Sequence, residues 1–120
     1  FGVSVAMSDH FLVVGSPSGR DRSGGSAYVY ARGADGSLGP LVQKLRASDG
    51  QRDDEFGWTV GVSDRIIVVG NNGVGSNGGN IYFFEPNSTG TWEEVLVDNS
   101  DYTFSVSKDL VVSTLKNEVR

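Results

Sequence analysis

Residues 1–16, FGVSVAMSDHFLVVGS, return 55 residues later as FGWTVGVSDRIIVVGN. Eight pairs are identical: Phe1/Phe56, Gly2/Gly57, Val5/Val60, Ser8/Ser63, Asp9/Asp64, Val13/Val68, Val14/Val69 and Gly15/Gly70. A repeat of this length, built from short alternating apolar runs, marks a unit that cannot bury its own faces and must stack on copies of itself. The echo therefore constrains the architecture closely, while naming no ligand and no reaction.

The runs are rich in Val, Ile, Phe and Tyr and are separated by glycine, of which there are 17 against three prolines. That punctuation predicts strands. In the first unit they fall at residues 2–8, 11–16, 26–32 and 41–47. Only Asp9-His10 separates the first two, which predicts a tight hairpin. Val3, Val5 and Met7 alternate with Ser4, Ala6 and Ser8, so one face of the first strand is more deeply buried than the other. FLVVG is apolar throughout and is expected to be covered on both faces. The second unit repeats the scheme at 58–63, 66–70, 80–85 and 92–97, with Asp64-Arg65 as its turn. SGGSAYVY aligns with NGGNIYFF at an offset of 54, and QKL with EVL, pairing Leu45 with Leu96, at 51. Offsets that drift inside loops are what a structural repeat produces, because loop length varies more freely than strand length. A third copy starts at YTFSVSKDLVVSTL. There the alignment drops one residue from the turn and sets Val111 and Val112 in the places of Val13 and Val14. The expected units are 1–55, 56–101 and a partial third, 102–120. The fold class is all-β, a fragment of a β-propeller made of consecutive four-stranded antiparallel blades.

The 120 residues carry 38% hydrophobic side chains, enough for a packed core. Net charge is -5, and Arg20, Arg22, Lys44, Arg46 and Arg52 form no run, which argues against nucleic acid as a partner. The absence of cysteine excludes disulfides and thiolate metal sites and leaves the compartment open. No apolar run approaches the roughly 18 residues of a membrane-spanning helix. Beginning inside a repeat at Phe1 and ending at Arg120, the sequence reads as an excerpt of a longer protein.

Phe1-Gly2, Ser4-Val5-Ala6, Asp9, Leu12-Val13-Val14-Gly15-Ser16-Pro17 and Gly25-Ser26-Ala27-Tyr28-Val29-Tyr30 together resemble the FG-GAP repeat family. KLRASDGQRDDEFG resembles the linker that leads into the next Phe-Gly in bacterial-type members. The resemblance covers the whole chain. It departs at Asn71-Asn72, where the pattern has Ala-Pro, and at the third copy, which lacks a clear Phe-Gly. It implies propeller blades of the kind found in integrin alpha chains and in secreted bacterial and algal proteins, and an extracellular or cell-surface location.

Integrin-type members hold calcium in an Asp-rich loop between the first two strands of a blade. Such a site requires several oxygen ligands on a loop of roughly nine residues or more. Ser8-Asp9-His10 and Ser63-Asp64-Arg65 are too short to wrap an ion, so neither metal nor cofactor is expected. Asp9 and Asp64 read instead as turn formers whose carboxylates bond local backbone amides. Ser8, matched by Ser63, reads as structural, and His10 has no nearby nucleophile to activate. The aromatics recur between copies, which favours packing between blades. Residues that do not recur are the candidates for a ligand face: His10, Trp58, and Asp53, Asp54 and Glu55 of the acidic linker, whose simpler role is to keep a blade connection soluble. Asn87-Ser88-Thr89 is a candidate N-glycosylation sequon in a polar loop.

The expected role is non-catalytic. It is that of an adhesion-type scaffold, packed against neighbouring blades outside this segment, whose loops take a protein or glycan ligand. The alternatives are the accessory propeller of a secreted hydrolase, or a structural unit of a surface appendage or matrix.

Overall fold

The computed structural model describes residues 4–17, 24–48, 55–71, 80–98, 102–107 and 110–115. Among them there is no helix. The first sheet is a four-strand antiparallel meander of β1 (Ser4–Met7), β2 (Phe11–Ser16), β3 (Ser26–Arg32) and β4 (Leu38–Leu45). The second repeats it with β5 (Thr59–Val62), β6 (Ile67–Gly70), β7 (Ile81–Pro86) and β8 (Trp92–Asp98). β9 (Tyr102–Ser107) and β10 (Leu110–Leu115) form an antiparallel pair, with β9 lying near β5.

The turn between β1 and β2 is the expected two-residue link: the Ser8 N–H donates to the Phe11 carbonyl at 2.9 Å, and Ser63 does the same to Ile66 at 2.8 Å. The double-sided burial expected of strand two also holds at its centre. Val13 and Val14 point to opposite faces and are both buried, and all four residues of β6 are buried. In β1 the more deeply buried face is the Ser4/Ala6 one, while Val5 and Met7 are 57% and 62% exposed. The small side chain of Ala6 lets the second sheet approach, and the larger residues look away from it.

Stacking of the two sheets creates the core. Val13, Ala27, Val29, Leu45 and Ala47 of the first unit meet Phe56, Val62, Ile67, Val69, Tyr82, Phe84 and Trp92 of the second. Phe56 meets Tyr82 and Phe84 edge-to-face at 5.2 and 6.1 Å, and Phe11 meets Trp92 at 5.3 Å. The aromatic contact across the sheets, Phe11 with Trp92, joins residues that do not recur; of the recurring pairs, Tyr82 and Phe84 lie in the core while Tyr28 and Tyr30 are half-buried outside it.

Two registers differ from the sequence alignment. The fourth strands superpose at an offset of 53 rather than 51, because Lys44 lies opposite Tyr28 and Val97 opposite Tyr82. Each sheet breaks register at the same place, Val29/Tyr30 and Phe83/Phe84, where a bulge leaves Val42 and Val95 without a cross-strand partner. In the third copy Ser107 pairs with Leu110 and Val106 with Val111, as Ser8 faces Phe11 and Met7 pairs with Leu12 in the first, while the turn residues 108 and 109 lie outside the described residues. Val111 and Val112 accordingly take the places of Leu12 and Val13.

Candidate functional site

The Phe-Gly dipeptide forms the joint between the sheets. The Phe56 N–H donates to the Gly24 carbonyl at 2.7 Å, giving a parallel bridge between Gly25 and Phe56. The Gly57 N–H donates to the Gly70 carbonyl at 3.2 Å, and Ser4 Oγ donates to the Gly57 carbonyl at 3.2 Å. Side chains are excluded here: a Cβ on Gly15 would stand 2.0 Å from the Gly57 oxygen, and one on Gly57 would stand 2.3 Å from the Ser26 oxygen. The glycines of three separate motifs therefore converge on one contact.

At one end of this seam the turns of the two sheets touch. Ser8 Oγ donates to Asp64 Oδ1 at 2.7 Å, and the His10 N–H donates to the same oxygen at 3.2 Å. His10 Nδ1 pairs with Asp64 Oδ2. The carboxylate of Asp64 thus binds the neighbouring turn rather than the local amides expected of it. Its own turn is capped by Ser63, whose Oγ accepts from Arg65 and Ile66 at 3.2 and 3.1 Å, as Ser8 Oγ accepts from Phe11 at 3.2 Å. With the serine hydroxyl already capping the turn, the acid is free to reach across.

The hydrogen bond to Asp64, reinforced by its charge and by Asp9, holds His10 above its ordinary value near 6.5. Asp64 is held below the usual carboxylate range, first by the Ser8 hydroxyl, which outweighs the opposing cost of burial, and further by the hydrogen bonds and charge of His10. The serine, histidine and aspartate of a hydrolase triad are all present, but their connectivity is wrong for nucleophilic catalysis. A triad places histidine between serine and aspartate so that the imidazole takes the hydroxyl proton. Here aspartate stands between them and the hydroxyl proton points at a carboxylate. Arg32 adds a second tie across the turn, its guanidinium donating to the Ser8 carbonyl.

The other sequence candidates lie apart from this cluster. Asp53 and Asp54 fall outside the described residues. Glu55 sits just before the joint in the left-handed region at φ 59, its carbonyl accepting the Trp58 N–H at 3.1 Å. Trp58 is 43% exposed, in contrast to Trp92, which is buried. Asn87 is half-buried at the β7–β8 turn, where its Oδ1 accepts from the N–H groups of Thr89 and Thr91. Among the described residues, no three His, Asp or Glu side chains come together in a group fit to hold a metal ion.

Two further ties between the sheets were not anticipated from sequence. Gln43 on β4 pairs its amide with the backbone of Trp92 on β8, donating to the carbonyl and accepting from the N–H, both at 2.8 Å. The N–H and hydroxyl of Ser48 donate to the Glu94 carboxylate at 3.0 and 2.6 Å. Gln43 lies in the aligned QKL segment and Ser48 in the linker motif, but neither pattern names a partner, and only the stacking of the sheets brings them to Trp92 and Glu94.

Comparison with known proteins gives one match. The sequence profile of the family described as FG-GAP repeat covers residues 1–30 and 41–84, well over half the chain. No curated protein and no solved structure matches.

Proposed function

The chain belongs to the FG-GAP repeat family, and from that premise we propose that it is a stretch of a non-catalytic β-propeller whose loops bind a protein or glycan outside the cell. Repeats of this family build propellers that generally serve as non-catalytic scaffolds, typically at the cell surface or beyond it. No helix among the described residues is long and apolar enough to cross a membrane. The observation that carries the proposal is the division of labour at the joint. The recurring residues Phe56, Gly57, Gly15, Ser8 and Asp64 are consumed in holding sheet to sheet, so recognition falls to residues that differ between copies. Trp58 is the foremost of these, a large aromatic left 43% exposed at the entry to β5. Exposed indole is well suited to stacking on a sugar face or anchoring a protein contact.

The neighbouring blade is part of the same reading. Val60, Val62, Ile67, Val69, Tyr82 and Phe84 on the second sheet pack against the first. Their register equivalents on the first sheet are Val5, Met7, Leu12, Val14, Tyr28 and Tyr30, on the face turned away. That face suits a preceding blade offering small residues in the manner of Ala6, Val13 and Ala27.

The test is a binding screen of the full-length protein on a glycan array and on immobilised extracellular-matrix proteins, repeated with Trp58→Ala. Binding that weakens tenfold or more in the variant, at an unchanged unfolding midpoint, supports a loop-based ligand face. Equal binding by both proteins, or none by either, overturns the assignment to Trp58.

A further inference from the structure

We propose that Asn87 is an N-glycan acceptor and that the outer tip of the β7–β8 hairpin carries an oligosaccharide. The proposal rests on the extracellular reading above, since the modification needs passage through a secretory compartment. Asn87-Ser88-Thr89 is the one Asn-x-Ser/Thr tripeptide in the sequence, and the structure places it where a bulky polar group fits. Ser88, Thr89, Gly90 and Thr91 are all exposed, as are Glu85 and Pro86 on the way in. A Cβ built on Gly90 would meet no atom within 4 Å, so the tip opens on free space.

The bonding of the Asn87 side chain divides cleanly between its two ends. Oδ1 accepts from the Thr89 N–H at 2.9 Å, from the Thr89 hydroxyl at 2.7 Å and from the Thr91 N–H at 3.1 Å. Nδ2 donates a single bond, to Glu93 at 2.9 Å. Glycosyl transfer consumes one of the two Nδ2 protons. The Nδ2–C1 bond forms while the C1–oxygen bond to a polyprenyl diphosphate donor breaks, and the diphosphate leaves with the bonding pair. Oδ1 and the second Nδ2 proton are retained, so the turn and the Glu93 contact persist with the sugar attached.

The first sheet shows that this turn does not demand the sequon. Its equivalent hairpin closes with the same backbone bonds, Gly33 N–H to Ser37 at 2.8 Å and Gly36 N–H to Gly33 at 2.9 Å. There the amide equivalent to that of Thr91 is capped from Asp35 at 3.0 Å, and a glycine stands at the place of Asn87. The blade thus has a working alternative, and the asparagine with its hydroxyl partner two residues on is particular to the second copy.

The test is secretion of the full-length protein from a eukaryotic cell behind an added leader, followed by peptide mapping. Enzymatic deglycosylation would convert Asn87 to Asp. The expected result is an Asn87 peptide carrying an oligosaccharide, lost in Asn87→Gln and Thr89→Ala and kept in Thr89→Ser. An unmodified Asn87 in secreted, folded protein overturns the proposal. Fractionation of the native source reports location separately, so a failure of the extracellular reading is distinguishable from a failure of the site.

Discussion

Gly57 combines two constraints that a side chain cannot meet: its φ is +101° and its Cβ position lies 2.3 Å from a backbone oxygen. Gly57→Ala is expected to destabilise the stacked sheets by about 2–4 kcal/mol, through strain and overpacking together. Denaturant unfolding of the full-length variant measures it, and a loss below the error of the method would mean the joint is softer than described. The Asp64–His10 pair makes a subtler claim, about pH. The folded-state value of His10 is raised, so its contribution is full below its ordinary value near 6.5 and is lost as pH rises through the higher folded value. That of Asp64 is lowered, so its contribution is full above 3.8 and is lost as pH falls through the depressed value. Asp64→Asn should therefore cost most between about pH 4 and 6.5 and less at pH 8, where the contacts from the Ser8 hydroxyl and the His10 backbone N–H remain to be lost but the charge on His10 is gone. Thermal unfolding of wild type and variant across that range shows it; a pH-independent difference would refute the coupling. His10 and Ser8 were legible in sequence as a non-recurring and a recurring turn residue. Their meeting with Asp64 was not, because it joins positions 56 and 54 residues apart across an interface that exists only after stacking.

β4 and β8 are the elements least well read from sequence. The inner strands carry identical residues at fixed spacing, because each must fill a gap between sheets. The outer strands face a neighbour on one side only, so their identities drift and a chance match of QKL with EVL misplaced the register by two. The shared bulge, which is absent from any residue pattern, is what restores the equivalence of Val42 with Val95. Gln43 shows what an outer strand contributes instead. Its amide behaves as an extra peptide group and satisfies both backbone groups of Trp92. Gln43→Ala leaves those groups without their protein partner and is expected to cost about 1–3 kcal/mol, read as a lower denaturant midpoint with an unchanged slope. A neutral outcome would show that solvent replaces the amide without penalty.

At the scale of the whole molecule, the same residue set is buried in one sheet and partly exposed in the other. Val62 is 4% exposed where its equivalent Met7 is 62%. A stacked architecture requires this asymmetry at any blade whose neighbour is missing. Expressed alone, residues 1–120 should therefore self-associate or aggregate through the open β1–β3 face. The double substitution Val5→Lys with Met7→Lys should raise the monomer fraction in size-exclusion chromatography. A soluble wild-type monomer with a sharp unfolding transition would show that the open face needs no cover.

The sequence by itself determined the strand periodicity, the two-residue turns, the glycine positions and the family, because each of these is written in local spacing that every copy must satisfy. Tertiary structure decided which face of each sheet is inside, how the outer strands register, and which turn residues pair. Those outcomes depend on the distance between sheets, a quantity that no single repeat contains. Ala6 facing the core while Met7 faces away is the clearest instance. In the second sheet the equivalent of Met7, Val62, is 4% exposed, so the covering sheet and not the side chain's hydrophobicity sets which face is inside.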